Sequence, residues 1–259
     1  MRLARFTYDN QQAFGVVEGE SGAEVISVID GDPLYTPVTP TGQHLPLADV
    51  KLLAPVIPRS KIVGIGRNYA DHAAEMGNEV PPEPLLFLKP NTTVISPGDA
   101  IAYPQQSTDV HFEGELAVVI GRLCRDVPVT RVPEVVFGYT VGNDVTARDL
   151  QRSDAQWTRA KGFDSFCPLG PWIVTDLDVT DVAVTTTLNG ELKQAGRTAA
   201  MVHKVPELVA YITSVMTLLP GDVILTGTPE GVGPVEVDDE MEIFISGIGN
   251  LTNKVKQRD

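Results

Sequence analysis

A succession of short strand-like runs dominates the chain beyond residue 60, and few helical patterns interrupt it. "KIVGIG", "LLFLKP", "ELAVVIG", "VVFGYTVGND", "PWIVT", "VAVTTTLNG", "DVILTG" and "MEIFISG" are apolar or β-branched runs punctuated by turn-forming residues, the pattern of strands. A doubly wound parallel sheet needs helices alternating with strands, and this order lacks them. Helical spacing is confined to "NYADHAAEMG", "ARDLQRSDAQWTRAK" and "VPELVAYITSVMTL". In the last, Leu208, Val209, Ile212, Val215 and Met216 recur near the helical period and predict an amphipathic packing helix. The expected class is therefore mainly β, of α+β type. Residues 1–57, with "AFGVVEG" and "AEVISVI" around a "GESG" turn, are expected to form a small β-rich N-terminal domain, and 58–259 the main one.

Within the strand run "HFEGELAVVIG", Glu113 and Glu115 are two residues apart, so on one strand both carboxylates leave the same face. Ala117 and Val119 continue that face toward a core. Adjacent like charges there are unfavourable, so a neutralising cation is expected. Taken alone, the pair reads equally well as an exposed strand end with two solvated acids. Asp144, in "GYTVGNDVTARD", adds a third carboxylate from a second strand. Three carboxylates with no Cys/His cluster are hard oxygen ligands suited to Mg²⁺ or Mn²⁺. His111 shares the strand parity of both glutamates, but ligation by carboxylates alone is expected.

His72 and Glu75 are three apart in "NYADHAAEMG", hence on one face of a helical turn. A carboxylate there can hold an imidazole as a base that activates water; an incidental pair on a surface helix is the plainer reading of the spacing alone. Glycines before this segment and prolines after it suggest a lid. Arg67, Lys89, Arg148 and Lys161 are candidate partners for an anionic substrate, with Gln151 one helical turn from Arg148. Thr226-Gly227-Thr228, in "PGDVILTGTPEGVG", would offer hydroxyl and N–H donors to an anion unless it is a plain hairpin turn. No GK[ST] follows, so it is not a P-loop.

A formal charge of −14 argues against nucleic acid, which requires a basic footprint. No apolar run approaches the roughly 20 residues of a membrane span, and "MRLARFTYDNQQ" lacks the apolar stretch of a signal peptide. A cytoplasmic chain is expected, with Cys124 and Cys167 reduced. Two cysteines are too few for a four-sulfur zinc site.

In order over about residues 60 to 255, "GIGRNYADHAAE", "PLLFLKP", "FEGELAVVIG", "GYTVGNDVTARDLQ", "AKGFDSFCPLGP", "LNGELKQ" and "PGDVILTGTPEGVG" resemble the fumarylacetoacetate hydrolase family, in its acylpyruvase and 2-hydroxyhepta-2,4-diene-1,7-dioate isomerase-like branch. The resemblance implies a mixed β-sandwich roll, usually homodimeric, with Glu113, Glu115 and Asp144 as metal ligands. It places His72 and Glu75 as the water-activating pair and Lys161 near the reacting carbons, with Arg67, Arg148, Gln151 and Thr228 at substrate contacts. Many members carry Asp where this chain has His111. The implied chemistry is chelation of a small 2-oxo acid by Mg²⁺ or Mn²⁺, which stabilises an enolate. Hydrolysis of a C–C bond in an acylpyruvate such as fumarylpyruvate is the expected reaction, because the His–Glu pair supplies a water base. Isomerisation of 2-hydroxyhepta-2,4-diene-1,7-dioate and decarboxylation of oxaloacetate use the same electron sink. A non-catalytic metal-dependent binding module would keep the acids without needing the base.

Overall fold

The computed structural model describes residues 1–20 and 22–258. Its centre is strand β11 (Gly114–Ile120), buried along its whole length. Leu116, Val118 and Ile120 enter one hydrophobic core and Ala117 and Val119 another, so both sides of the strand are covered. This explains why "LAVVI" is continuously apolar rather than alternating, as expected of a strand buried on both faces.

β11 pairs antiparallel with β12 (Val136–Asn143) and with β17 (Val223–Leu225), which in turn runs parallel to β6 (Ile62–Gly66). β7 (Leu85–Lys89) ends the sheet on that side. On the other side β14 (Cys167–Val174) connects β12 to β1 (Arg2–Tyr8), β2 (Gln11–Glu18), β3 (Val25–Ile29) and β4 (Pro40–Pro46). The N-terminal strands thus extend the main sheet rather than closing a separate one; β5 (Lys51–Leu53) adds to β1 and β8 (Val94–Ile95) to β14. A second sheet joins β16 (Glu191–Arg197), β15 (Ala183–Leu188), β19 (Glu240–Ile245), β20 (Gly249–Gln257) and β9 (Ala100–Tyr103) in that order. A third, small sheet has β10 (Val110–Phe112) between β13 (Thr146–Ala147) and β18 (Gly233–Pro234). The mainly β class with mixed sheets is as expected.

Three local expectations need correction. "HFEGELAVVIG" is not one strand: the ladder breaks at Glu113, between β10 and β11, which belong to different sheets. At the break the Glu113 N–H donates to Asn143 Oδ1 at 3.0 Å, and the Asp144 N–H donates to the Glu113 carbonyl at 2.9 Å. The stretch "ARDLQRSDAQWTRAK" forms two short helices, α2 (Arg148–Ser153) and α3 (Thr158–Lys161), after α1 (Ala70–Glu75). Asp154 is extended, and its carboxylate accepts from the Ser153 hydroxyl and from Arg159 in α3, which ties the two short helices together across the break.

Finally, α4 (Val205–Val215) buries Leu208, Val209 and Ile212 as its spacing predicts, with Val205 beside them, and Met216 just past its end is half-buried against the same core, but Val215 is 58% exposed. Ile212→Ala should therefore cost about 2–5 kcal/mol in urea unfolding, whereas Val215→Ala should stay within about 0.5 kcal/mol. Equal costs would contradict this placement of the core.

Candidate active site

The break at Glu113 gathers three acids. Glu113 stands at the seam of two sheets, Glu115 on the first turn of pleat in β11, and Asp144 just beyond the end of β12. All three are buried, and one carboxylate oxygen from each lies within 4.8 Å of the others. His111 is outside this set, its Nε2 2.8 Å from Asp109. The convergence owes more to the sheet crossing than to shared strand parity.

Buried charges persist only when compensated. Glu113 pairs with Arg148 and, at 2.7 Å, with the Lys161 ammonium. Lys161 also reaches Asp144 Oδ2 at 2.6 Å, while Lys89 holds Asp144 Oδ1 at 2.5 Å. Glu115 receives the Gly227 N–H at 2.7 Å but, among the described residues, has no ionic partner. The consequences diverge. Burial opposes ionisation of Glu113, yet Arg148 and Lys161 outweigh it and hold this carboxyl well below the usual range. Burial, then Asp144 and Glu113, push the Glu115 carboxyl well above it. Burial works against the Lys161 charge, but Asp144 and Glu113 more than restore it. An uncompensated carboxylate beside two others, all oxygen donors, fits a hard divalent cation such as Mg²⁺ or Mn²⁺.

Above the acids lies a cavity of about 280 Å³ whose wall includes Arg67, His72, Glu113, Glu115, Arg148, Gln151 and Thr228. Asp144 and Lys161 sit behind it, bonded to each other and to its Glu113. Arg148 Nη1 donates to Gln151 Oε1 at 2.8 Å, so the one-turn spacing brings these two together. His72 Nδ1 is 3.4 Å from Glu75 Oε2, and Glu75 also accepts the Gly231 N–H at 3.1 Å. Burial lowers the His72 imidazole; Glu113 opposes this, Arg148 reinforces it, and Glu75 partly offsets it. The segment expected to be a lid is hooked to the body here: Tyr69 bridges to Met201, and buried Asn68 donates to the carbonyls of His203 and Thr226.

Two features differ from a simple anion-binding turn. Gly227 N–H serves Glu115, and the hydroxyls of Thr226 and Thr228 donate to the carbonyls of Leu116 and Gly114. Their donors are thus used within the protein. Arg67 sits at φ 59°, a left-handed conformation that costs an ordinary residue about 1–2 kcal/mol. Trp157, also on the cavity wall, packs edge-on against Phe87 with ring centroids 5.4 Å apart. A Cβ on Gly64 would come within 2.1 Å of that Phe87 ring, so β6 needs glycine there to let the aromatic pair approach the cavity.

Lys89, Asn68, Asn143 and Gln194 all support this site from buried positions. Of these, only Lys89 stood out in the sequence, as one cation among several. The partners of the three amides lie 30 or more residues away or across a sheet, beyond any local pattern.

Comparison with known proteins agrees with this architecture. A family described as "Fumarylacetoacetate (FAA) hydrolase C-terminal" matches residues 61–256, and one described as "Rv2993c-like, N-terminal" matches residues 1–55. Protein Rv2993c of Mycobacterium tuberculosis is 53% identical, over 100% of this chain and 99% of that protein. The mitochondrial oxaloacetate decarboxylase of Dictyostelium discoideum is 44% identical (73% and 89% covered), and the human mitochondrial oxaloacetate tautomerase FAHD2A 43% identical (82% and 71%). Among solved structures, 5-carboxymethyl-2-hydroxymuconate delta-isomerase from Mycobacterium smegmatis superposes with a TM-score of 0.93 at 52% identity, covering all of both chains. Maleylpyruvate hydrolase from Sphingobium sp. SYK-6, in complex with manganese (II) ion and pyruvate, does so with 0.83 at 33% identity, again over both whole chains. With the sheet order, the buried acid triad and a family match over most of its length in accord, the chain belongs to the fumarylacetoacetate hydrolase family.

Proposed function

We propose that this protein is a divalent-metal-dependent enzyme that moves a proton on small 2-oxo acids, interconverting keto and enol or dienol forms. The observation that carries this reading is the placing of a base beside an acid triad. His72 faces the same cavity as Glu113 and Glu115, and burial favours its neutral form. Glu113, Glu115 and Asp144 would hold the cation, which when bound supplies a Lewis acid that draws electrons from the 2-oxo acid. Arg148 and Gln151 would orient the substrate carboxylate, and Glu75 would fix the imidazole through Nδ1, leaving Nε2 for proton transfer. Lys161 would hold positive charge beside the reacting carbons. Arg67 and Thr228 would shape the remaining wall. The isomerase, tautomerase and decarboxylase names of relatives 43–52% identical support this chemistry class.

A second reading is C–C hydrolysis of an acylpyruvate, in which His72 deprotonates water instead of carbon. It draws on the His72–Glu75 pair and on the manganese- and pyruvate-bound hydrolase at 33% identity. Steady-state assays of oxaloacetate enolisation, oxaloacetate decarboxylation and fumarylpyruvate cleavage, each with Mg²⁺ and with Mn²⁺, decide between them. Fumarylpyruvate cleavage outrunning both oxaloacetate reactions would overturn the first reading. A homodimer is proposed for the assembly, to be tested by light scattering.

The neutral imidazole is the working base, so a lowered pKa extends activity to lower pH. The acid limb of kcat/KM should thus lie below the ordinary imidazole value of about 6.5. Glu75 raises this group both by charge and by hydrogen bond, so Glu75→Gln should move the limb lower still. A limb above the ordinary value, or one shifted upward by Glu75→Gln, would count against His72 as the base.

A further inference from the structure

Gln194 belongs to β16, in a different sheet from the acids, and is fully buried. Its amide bonds in two directions. Oε1 accepts the N–H of Gly114, the residue between Glu113 and Glu115, at 3.0 Å, and the Thr186 hydroxyl at 2.8 Å. Nε2 donates to Thr228 Oγ1 and to the Pro229 carbonyl, both at 2.8 Å. Both donors and both acceptor sites of the amide are therefore used. The backbone approach is equally close. A Cβ on Gly114 would come within 2.4 Å of Thr186 Oγ1, one on Gly196 within 2.3 Å of Pro229 Cβ, and one on Gly231 within 2.1 Å of the Lys193 carbonyl. β15 and β16 thus press on the acid-bearing strand and on the 226–231 loop together. That loop supplies the Gly227 N–H to Glu115, Thr228 to the cavity wall, and the Gly231 N–H to Glu75.

From this geometry we propose that Gln194 is a positioning residue: it sets the distance between the glutamate strand and the Thr228 loop, and so shapes the part of the cavity where substrate lies over the cation. A residue needed only to fill space would not require a donor on one side and an acceptor on the other. The inference rests on the functional reading above, so its test uses binding rather than turnover. Gln194→Glu keeps an oxygen for Gly114 and Thr186 but sets another oxygen against the Pro229 carbonyl. Mn²⁺ is titrated into each protein, then oxalate into the Mn²⁺-loaded form, by calorimetry, with thermal unfolding followed in parallel.

Gln194→Glu should bind Mn²⁺ within about threefold of the unaltered protein and oxalate about tenfold more weakly. Thr228→Val should lose a similar factor, and the double variant no more than about threefold beyond either, because the two residues act as one unit. Thr228→Ser, which keeps the hydroxyl that Gln194 holds, should retain oxalate affinity. Unchanged oxalate affinity in folded Gln194→Glu, or losses that multiply in the double variant, would overturn the inference. Should Gln194→Glu not fold, equal oxalate affinity of Thr228→Ser and Thr228→Val would overturn it. Failure of the unaltered protein to bind Mn²⁺ and oxalate would instead overturn the functional reading, and this inference with it.

Discussion

Glu115→Gln should yield a folded protein that has lost at least about 10²-fold in divalent-cation affinity, and with it all metal-dependent turnover. Glu115 is the informative position because its partners differ from those of the other two acids. Removing Glu113 would strand Arg148 and leave Lys161 with Asp144 alone, and removing Asp144 would strand Lys89; breaking such buried pairs costs about 3–5 kcal/mol. Among the described residues, Glu115 has only the Gly227 N–H, which glutamine can still satisfy through its carbonyl oxygen. Its carboxyl is also raised, by burial first and by Asp144 and Glu113 second, so an uncharged amide there relieves repulsion among the three acids. The expected signature is a thermal midpoint equal to or above that of the unaltered protein, together with a flat Mn²⁺ titration. Retained Mn²⁺ affinity in Glu115→Gln would remove this residue from the cation site.

His72→Ala should lower keto–enol interconversion and any acylpyruvate cleavage by about 10²-fold or more, since each needs a base. Cation binding should survive, because His72 is not among the three clustered acids. Decarboxylation of oxaloacetate needs no attacking water, and electron withdrawal alone can accept the charge released with CO₂. His72→Ala should therefore spare decarboxylation relative to the other two reactions. Equal loss of all three activities with Mn²⁺ still bound would contradict this division of roles.

The sequence disclosed the chemistry of the site better than its geometry. Three carboxylates without a soft-ligand cluster pointed to a hard cation, and the three-residue spacings of His72–Glu75 and Arg148–Gln151 match contacts in the structure. Glu113 and Glu115 do not sit on one continuous strand: the chain passes from one sheet to another between them. A single residue that leaves its ladder to bond an asparagine side chain has no hydropathy signal. Asp154 likewise marks the break in one apparent helix: it is extended, and its carboxylate bonds the side chains of Ser153 and Arg159 on either side, an arrangement with no hydropathy signal. Gln194 and Asn68 carry no signal for a further reason: a buried amide is selected by what surrounds it in three dimensions, and most of their partners are remote in sequence.

The central claim is that Glu113, Glu115 and Asp144 hold a divalent cation at the floor of the cavity. Anomalous scattering from crystals grown with Mn²⁺ and oxalate tests it most directly. One peak should lie about 2.1 Å from an oxygen of each of the three carboxylates, with oxalate on its cavity side beside Arg148 and His72. An anomalous peak elsewhere, or none at the triad while oxalate occupies the cavity, would contradict it.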